Sequence, residues 1–279
     1  MQKLLFILLI LFSLQKIEAK NFYGIIVADI EDPAIGEACD RDAGKIYAEF
    51  QKFAYHNNAT LLIEKFVGSE FSKTKILDYL IEIKPKGDDV IFFYYSGHGK
   101  YEQGLGKVLN IKDGDLELKT IESILDNKDS ELKFVVTDCC SQRIPITFIS
   151  PPKVNSEAKI GELKEKGVAI RQKNYQRLLN YEGLLVLESS QPGQFSYADD
   201  KGGIFTDLFI NAIHFHVEVG TTSWKQILDK TRADVENYVG DNLEKNQIPV
   251  CDDTNLYQKL HSGKPSEIVP RNDYLRVKN

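Results

Sequence analysis

The chain is short of cysteine. It has four in 279 residues, Cys39, Cys139, Cys140 and Cys251, too few for a small disulfide-built scaffold. Cys139 and Cys140 are neighbours, and a bridge between adjacent residues is strained, so the four read mostly as free thiols. A surplus of positive charge is missing too. Lys and Arg number 35 against 41 Asp and Glu, a formal net charge of −6, which gives no basic face for nucleic acid. No apolar run reaches the roughly 20 residues a membrane-spanning helix needs. The run from Leu4 to Leu14 is about half of that. No internal repeat is visible.

That short run has a meaning of its own. Lys3, the apolar stretch and Ala19 have the order of a secretory leader: a positive start, an apolar core and a small residue before the cut. The expectation is a leader over residues 1–19 and an exported mature chain over 20–279, secreted or periplasmic, with no stable membrane span once the leader is removed. No cysteine stands near residue 20 to carry a lipid. Free thiols are a liability outside the cell, which argues that at least one has a purpose. The sequence leaves the oligomeric state open.

What is present is ordinary globular composition, 42% hydrophobic and 27% charged, enough for one large domain. Apolar strands are expected at 22–29, 59–67, 89–95, 132–138 and 182–190. Helical spacing covers 43–55, 72–84, 118–125, 204–218 and 223–241. The strands are β-branched and aromatic runs without strict alternation, which suits a sheet covered on both faces. Their alternation with helices predicts an α/β fold with a mostly parallel central sheet and helices on each side. Residues 143–177, with Pro145, Pro151 and Pro152 and many lysines, interrupt the pattern. They read as a long mobile loop, or as a loop carrying one helix.

Two strand ends carry chemistry. "FFYYSGHGK" (92–100) ends an apolar strand in Ser96-Gly97-His98-Gly99, and "FVVTDCC" (134–140) ends another in Asp138-Cys139-Cys140. In an open α/β sheet, ligands bind outside the carboxyl ends of the strands. If these strands are neighbours, a thiol and an imidazole meet there, a nucleophile beside a proton carrier. Glycine on both sides of His98 lets the chain turn sharply and leaves an amide free to approach a substrate carbonyl. His214 and His216 have a spacing that suits a metal, but no third ligand is nearby, and no metal or other cofactor is assigned.

"YYSGHG" followed some forty residues later by "VVTDCC" resembles the caspase-like cysteine peptidases, the metacaspase branch most of all. "GEACDRDA" (36–43) resembles the first loop of that family, and "SSQPGQFSYADDKGGIFT" (189–206) the segment after its fifth strand. The resemblance implies a caspase-like fold with His98 as catalytic histidine and Cys140 as nucleophile. It implies an oxyanion hole from the amides of Gly99 and Cys140, and a primary specificity pocket lined by Cys39, Asp42, Ser96 and Asp138. Two departures stand out. Ser141 and Gln142 follow the nucleophile where His-Ser-Gly is usual. No counterpart of the acidic calcium cluster is found, with Thr147 and Ser150 where some members have an acid, so calcium dependence stays open.

Two converging carboxylates without a basic residue between them would favour Arg or Lys before the cut, although Asp42 could instead cap the helix that follows it. The expectation is therefore a cysteine endopeptidase acting on proteins or peptides with basic residues, with its own loop at 143–177 as a possible substrate. A catalytically inactive binding protein, or a transpeptidase or ligase on the same scaffold, are the alternatives.

Overall fold

The computed structural model describes residues 20–140, 165–220 and 222–258. The expected leader, Ser141, Gln142, Thr147, Ser150 and the first part of the 143–177 stretch lie outside the described residues.

In chain order the elements are β1 (Asn21–Ala28), α1 (Gly36–His56), β2 (Thr60–Val67), α2 (Lys73–Glu82), β3 (Val90–Ser96), β4 (Gly99–Glu102), β5 (Gly106–Ile111), β6 (Gly114–Glu117) and α3 (Leu118–Asp126). They continue with β7 (Leu132–Asp138), α4 (Glu165–Leu178), β8 (Tyr181–Glu188), the two-residue strands β9 (Ala198–Asp199) and β10 (Gly202–Gly203), α5 (Ile204–Val219), α6 (Trp224–Leu243) and β11 (Val250–Gln258). The main sheet runs β11-β8-β7-β3-β1-β2. It is parallel throughout except for β11, which pairs antiparallel with β8. Because β2 lies on one side of β1 and β3 on the other, the strand order reverses between β1 and β3. A crevice opens there at the carboxyl ends.

Each central strand feeds two cores. Phe92 and Tyr94 of β3, with Phe134 and Val136 of β7, face a cluster closed by α1, α4, α5 and α6. Ile91, Phe93 and Tyr95, with Val135, face a second cluster closed by α2, α3 and the β5–β6 region. Burial on both faces is why these strands read as unbroken apolar runs. The aromatic side chains interlock in the first cluster: Phe92 and Phe134 stack with centroids 4.8 Å apart, Phe134 lies 4.8 Å from Trp224, and the indole N–H of Trp224 donates to the Leu178 carbonyl at 2.8 Å.

Three features differ from the sequence reading. Helix α1 begins at Gly36, seven residues before the apolar period becomes obvious. Ala38, Cys39 and Asp42 extend its buried face between Ile35 and Ile46, but the intervening charges hide this. Asp42 is therefore a buried mid-helix residue, not a cap. Residues 165–178 form α4, the helix that one of the two readings of 143–177 allowed, but it is packed: Asn174, Tyr175 and Leu178 are buried against the core. The antiparallel sheet β4-β5-β6 was not anticipated; it grows directly out of the histidine motif.

Candidate active site

Strands β1, β3 and β7 end level. Ala28 pairs with Ser96, and Ser96 with Asp138. Beyond these ends the backbone stays stitched together: the Asp29 amide donates to the Ser96 carbonyl at 3.0 Å, and the Gly97 amide to the Asp138 carbonyl at 3.3 Å. The segments Gly97-His98-Gly99 and Cys139-Cys140 therefore leave the sheet side by side.

The glycines flanking His98 answer to close packing. A Cβ on Gly97 would lie 2.6 Å from the Tyr95 hydroxyl oxygen, and one on Gly99 would lie 2.7 Å from Cys139 Sγ and 3.0 Å from the Cys140 carbonyl oxygen. Tyr95, fully buried on the far face of β3, donates its hydroxyl to the His98 carbonyl at 2.6 Å, and the Asn110 amide donates to the same carbonyl at 3.0 Å. The backbone of His98 is thus fixed from below while its side chain, 34% exposed, stands at the surface. Its Nε2 lies 3.1 Å from Asp32 Oδ2.

The two cysteines differ. Cys139 packs into the second apolar cluster, and burial pushes its thiol up to about 12. Its peptide is gripped on both sides. The Cys139 amide donates to Ser189 Oγ at 3.1 Å, and its carbonyl accepts from Ser189 Oγ at 3.1 Å, Ser190 Oγ at 3.3 Å and Lys107 Nζ at 3.3 Å. Lys107 is itself buried and lies 3.5 Å from Glu188. Cys140 follows this anchored peptide and lines a cavity. Its Sγ donates to the Ser196 carbonyl at 3.5 Å. Burial raises the Cys140 thiol, against the charge of Lys107. A thiol in this state is neutral at rest and needs a base at the moment of attack.

The cavity is narrow, about 40 Å³, and is lined by Cys39, Asp42, Ser96, Asp138, Cys140 and Tyr197 among others. All four residues expected to line a specificity pocket meet there with the expected nucleophile. Gly203 sits between the carboxylates: a Cβ on it would lie 2.1 Å from Asp138 Oδ2 and 2.9 Å from Asp42 Oδ2. Asp42 accepts from Ser96 Oγ and from the Gly203 amide, each at 2.9 Å. Asp138 accepts from Ser196 Oγ at 2.6 Å, Thr206 Oγ1 at 2.7 Å and the Thr206 amide at 3.1 Å. Burial, and then the charge of Asp138, raises the Asp42 carboxyl well above its ordinary value; burial also raises Asp138 against its three donors. Arg41 points away and pairs with Glu37 at 3.0 Å.

Several residues here are not singled out by the sequence. Ser189, Ser190, Ser196 and Thr206 fall in the 189–206 segment that carries the resemblance, Thr206 in the first turn of α5, but the sequence assigns no role to any of them. Gln247, fully buried, donates to the Ser189 carbonyl and to Ser196 Oγ and accepts from the Tyr197 amide, tying that segment to the sheet edge. Asp32 precedes a proline and reads only as a turn former. His214 pairs with Glu49 at 2.7 Å, and among the described residues no group of three or more His, Cys, Asp or Glu is arranged to hold a metal ion. No described helix is long and apolar enough to cross a membrane.

A parallel sheet thus brings a thiol and an imidazole to adjacent strand ends, with Cys140 lining a buried acidic cavity, an arrangement a cysteine peptidase would need. The chain belongs to the caspase domain family of peptidases, whose model matches residues 35–261. Two solved structures share the fold. A structural-genomics protein from Geobacter sulfurreducens is 15% identical, with a TM-score of 0.51 over 83% of this chain and 92% of that one. Caspase-1 from Spodoptera frugiperda is 12% identical, with a TM-score of 0.50 over 84% of this chain and 85% of that one. No curated protein sequence matches.

Proposed function

We propose that this protein is an exported cysteine endopeptidase of the metacaspase type that cleaves after Arg or Lys. The observation that carries the specificity is the pair of buried carboxylates, Asp42 and Asp138, opposed across Gly203 in the cavity that Cys140 lines. A cation entering between them favours the ionised form of both acids, while an acidic side chain finds no partner there. A guanidinium suits them best, because its planar fork can address both.

The chemistry is thiol acyl transfer. Cys140 Sγ attacks the carbonyl carbon after the basic residue, and the amides of Gly99 and Cys140 hold the developing oxyanion. His98 takes the thiol proton and delivers it to the leaving amine as the C–N bond breaks. Water then hydrolyses the thioester. Losing one oxyanion donor in such a site costs about 10²–10³ in rate.

The cavity is narrow, about 40 Å³, and the Cys140 thiol is engaged by the Ser196 carbonyl. This supports a resting form that opens before it cuts. Self-processing is part of the proposal. Of the basic residues in 143–177, Lys166, Arg171, Lys173 and Arg177 lie on α4, where helical backbone makes a poor substrate, so cutting is expected at Lys153, Lys159 or Lys164. Export rests on Lys3 and the apolar run Leu4–Leu14.

The test is cleavage of a peptide library with every residue type before the cut, wild type beside Cys140→Ala. Turnover confined to Arg and Lys and lost in the variant supports the reading. Cleavage after Asp or Asn overturns the pocket assignment, and turnover that survives in Cys140→Ala overturns the nucleophile. Intact mass after incubation reports fragments in wild type alone if the loop is a substrate.

A further inference from the structure

The caspase-type reaction needs only a thiol and an imidazole, yet this structure engages His98 with a third group. We propose that Asp32 is a positioning residue for His98: it fixes the imidazole with its proton on Nε2 and leaves Nδ1 to exchange the proton between Cys140 and the leaving amine. The inference rests on the function proposed above.

Asp32 is unusually well held for a loop residue. It lies between the end of β1 and the start of α1. Its Oδ1 accepts the amides of Ala34 at 2.8 Å and Ile35 at 3.0 Å, and its own carbonyl accepts the Gly36 amide at 2.8 Å. Gly36 permits this tight turn, since a Cβ there would lie 2.4 Å from the Ile30 carbonyl oxygen. With Oδ1 committed to the turn, Oδ2 is the oxygen that meets His98 Nε2 at 3.1 Å. Partial burial works against ionisation of Asp32, but the two amides and the imidazole outweigh it and hold the carboxyl below its ordinary value. An ionised carboxylate only accepts hydrogen bonds, so His98 Nε2 is the donor and Nδ1 the basic nitrogen. When Nδ1 takes the Cys140 proton, the resulting imidazolium keeps its Nε2–H on Asp32. When the amine leaves, the proton passes from Nδ1 to nitrogen and the pair returns to its first state.

The turn makes Asp32→Asn a sharp test. The amides of Ala34 and Ile35 require an oxygen, so the Asn side-chain oxygen stays on them and its NH₂ faces His98. Nε2 must then accept, and the imidazole proton moves to Nδ1, the wrong tautomer for proton uptake. The experiment compares wild type and Asp32→Asn at about pH 8, above the ordinary imidazole value. It uses an arginyl amide and the matching arginyl thioester, together with ¹⁵N spectra of labelled histidine; the His98 signals are assigned by their loss in His98→Gln.

The expected result is a kcat reduced by about 10² or more on both substrates, with KM within twofold, because Nδ1 must take the Cys140 proton before either leaving group departs. The spectra show the proton on Nε2 in wild type and on Nδ1 in the variant. A fall on the amide below tenfold, or a wild-type proton on Nδ1, overturns the proposal. The wild-type spectrum decides this even if the variant fails to fold or the protein cleaves neither substrate. A wild type inert on both substrates counts against the peptidase reading separately.

Discussion

Ser96 and Asp138 are register partners at the last positions of β3 and β7. The site follows from this pairing. Because the two strands stop level, His98 and Cys140 each stand two residues past a paired strand end. The paired residues also turn to work at the same cavity: Ser96 donates to Asp42, and Asp138 supplies the second carboxylate. The cavity carboxylate and Cys140 are set by one register, so a one-residue slip would misplace both.

Gly203→Ala tests the carboxylate geometry. The φ of Gly203 is −64°, which any residue adopts, so the only obstacle is space between Asp138 and Asp42. The variant is expected to fold, with kcat/KM on arginyl substrates at least about 10²-fold lower. A displaced carboxylate pair costs binding on the scale of a truncated buried charge contact, roughly 2–5 kcal/mol. Steady-state kinetics check this, and unchanged kcat/KM would show that the cleft between the carboxylates is not where the cation goes.

Asp42→Asn should separate stability from activity. Both carboxyls are raised by burial, so the empty folded protein retains protons that the unfolded chain releases. Linkage then makes folding stability fall as pH rises from the ordinary aspartate value through the raised ones. Removing one acid relieves that loss. The variant is expected to gain on the order of 1 kcal/mol at neutral pH, about 2–4 °C in Tm, with the gain shrinking towards pH 4, while preference for Arg and Lys collapses. Thermal melts at pH 4 and pH 8 read the first effect. A variant less stable than wild type at pH 8 contradicts the description of a strained acid pair.

Much of this is legible in the sequence, for identifiable reasons. The central strands are buried on two faces, so Phe92–Tyr95 and Phe134–Val136 announce themselves. The motifs at their ends need only that β3 and β7 be neighbours. What stayed hidden is stabilised by polar contacts between distant segments. β4 and β6 are four-residue strands rich in charge, held in part by the buried Lys100 pairing with Asp115 and Glu102, and no hydrophobic period reveals them. β11 is a polar edge strand with a register shift between Asp252 and Asn255. Ser189, Gln247 and Asp32 act through hydrogen bonds that tertiary structure alone brings together.

The most direct measurement of the central claim is covalent capture. An arginyl peptide chloromethylketone is incubated with wild type, Cys139→Ala, Cys140→Ala and Asp138→Asn, and the modified residue is mapped by peptide mass. The account predicts one adduct on Cys140 in wild type and in Cys139→Ala, none in Cys140→Ala, and labelling slowed at least tenfold in Asp138→Asn. An adduct on Cys139, or faster labelling by the aspartyl analogue than by the arginyl one, would contradict it.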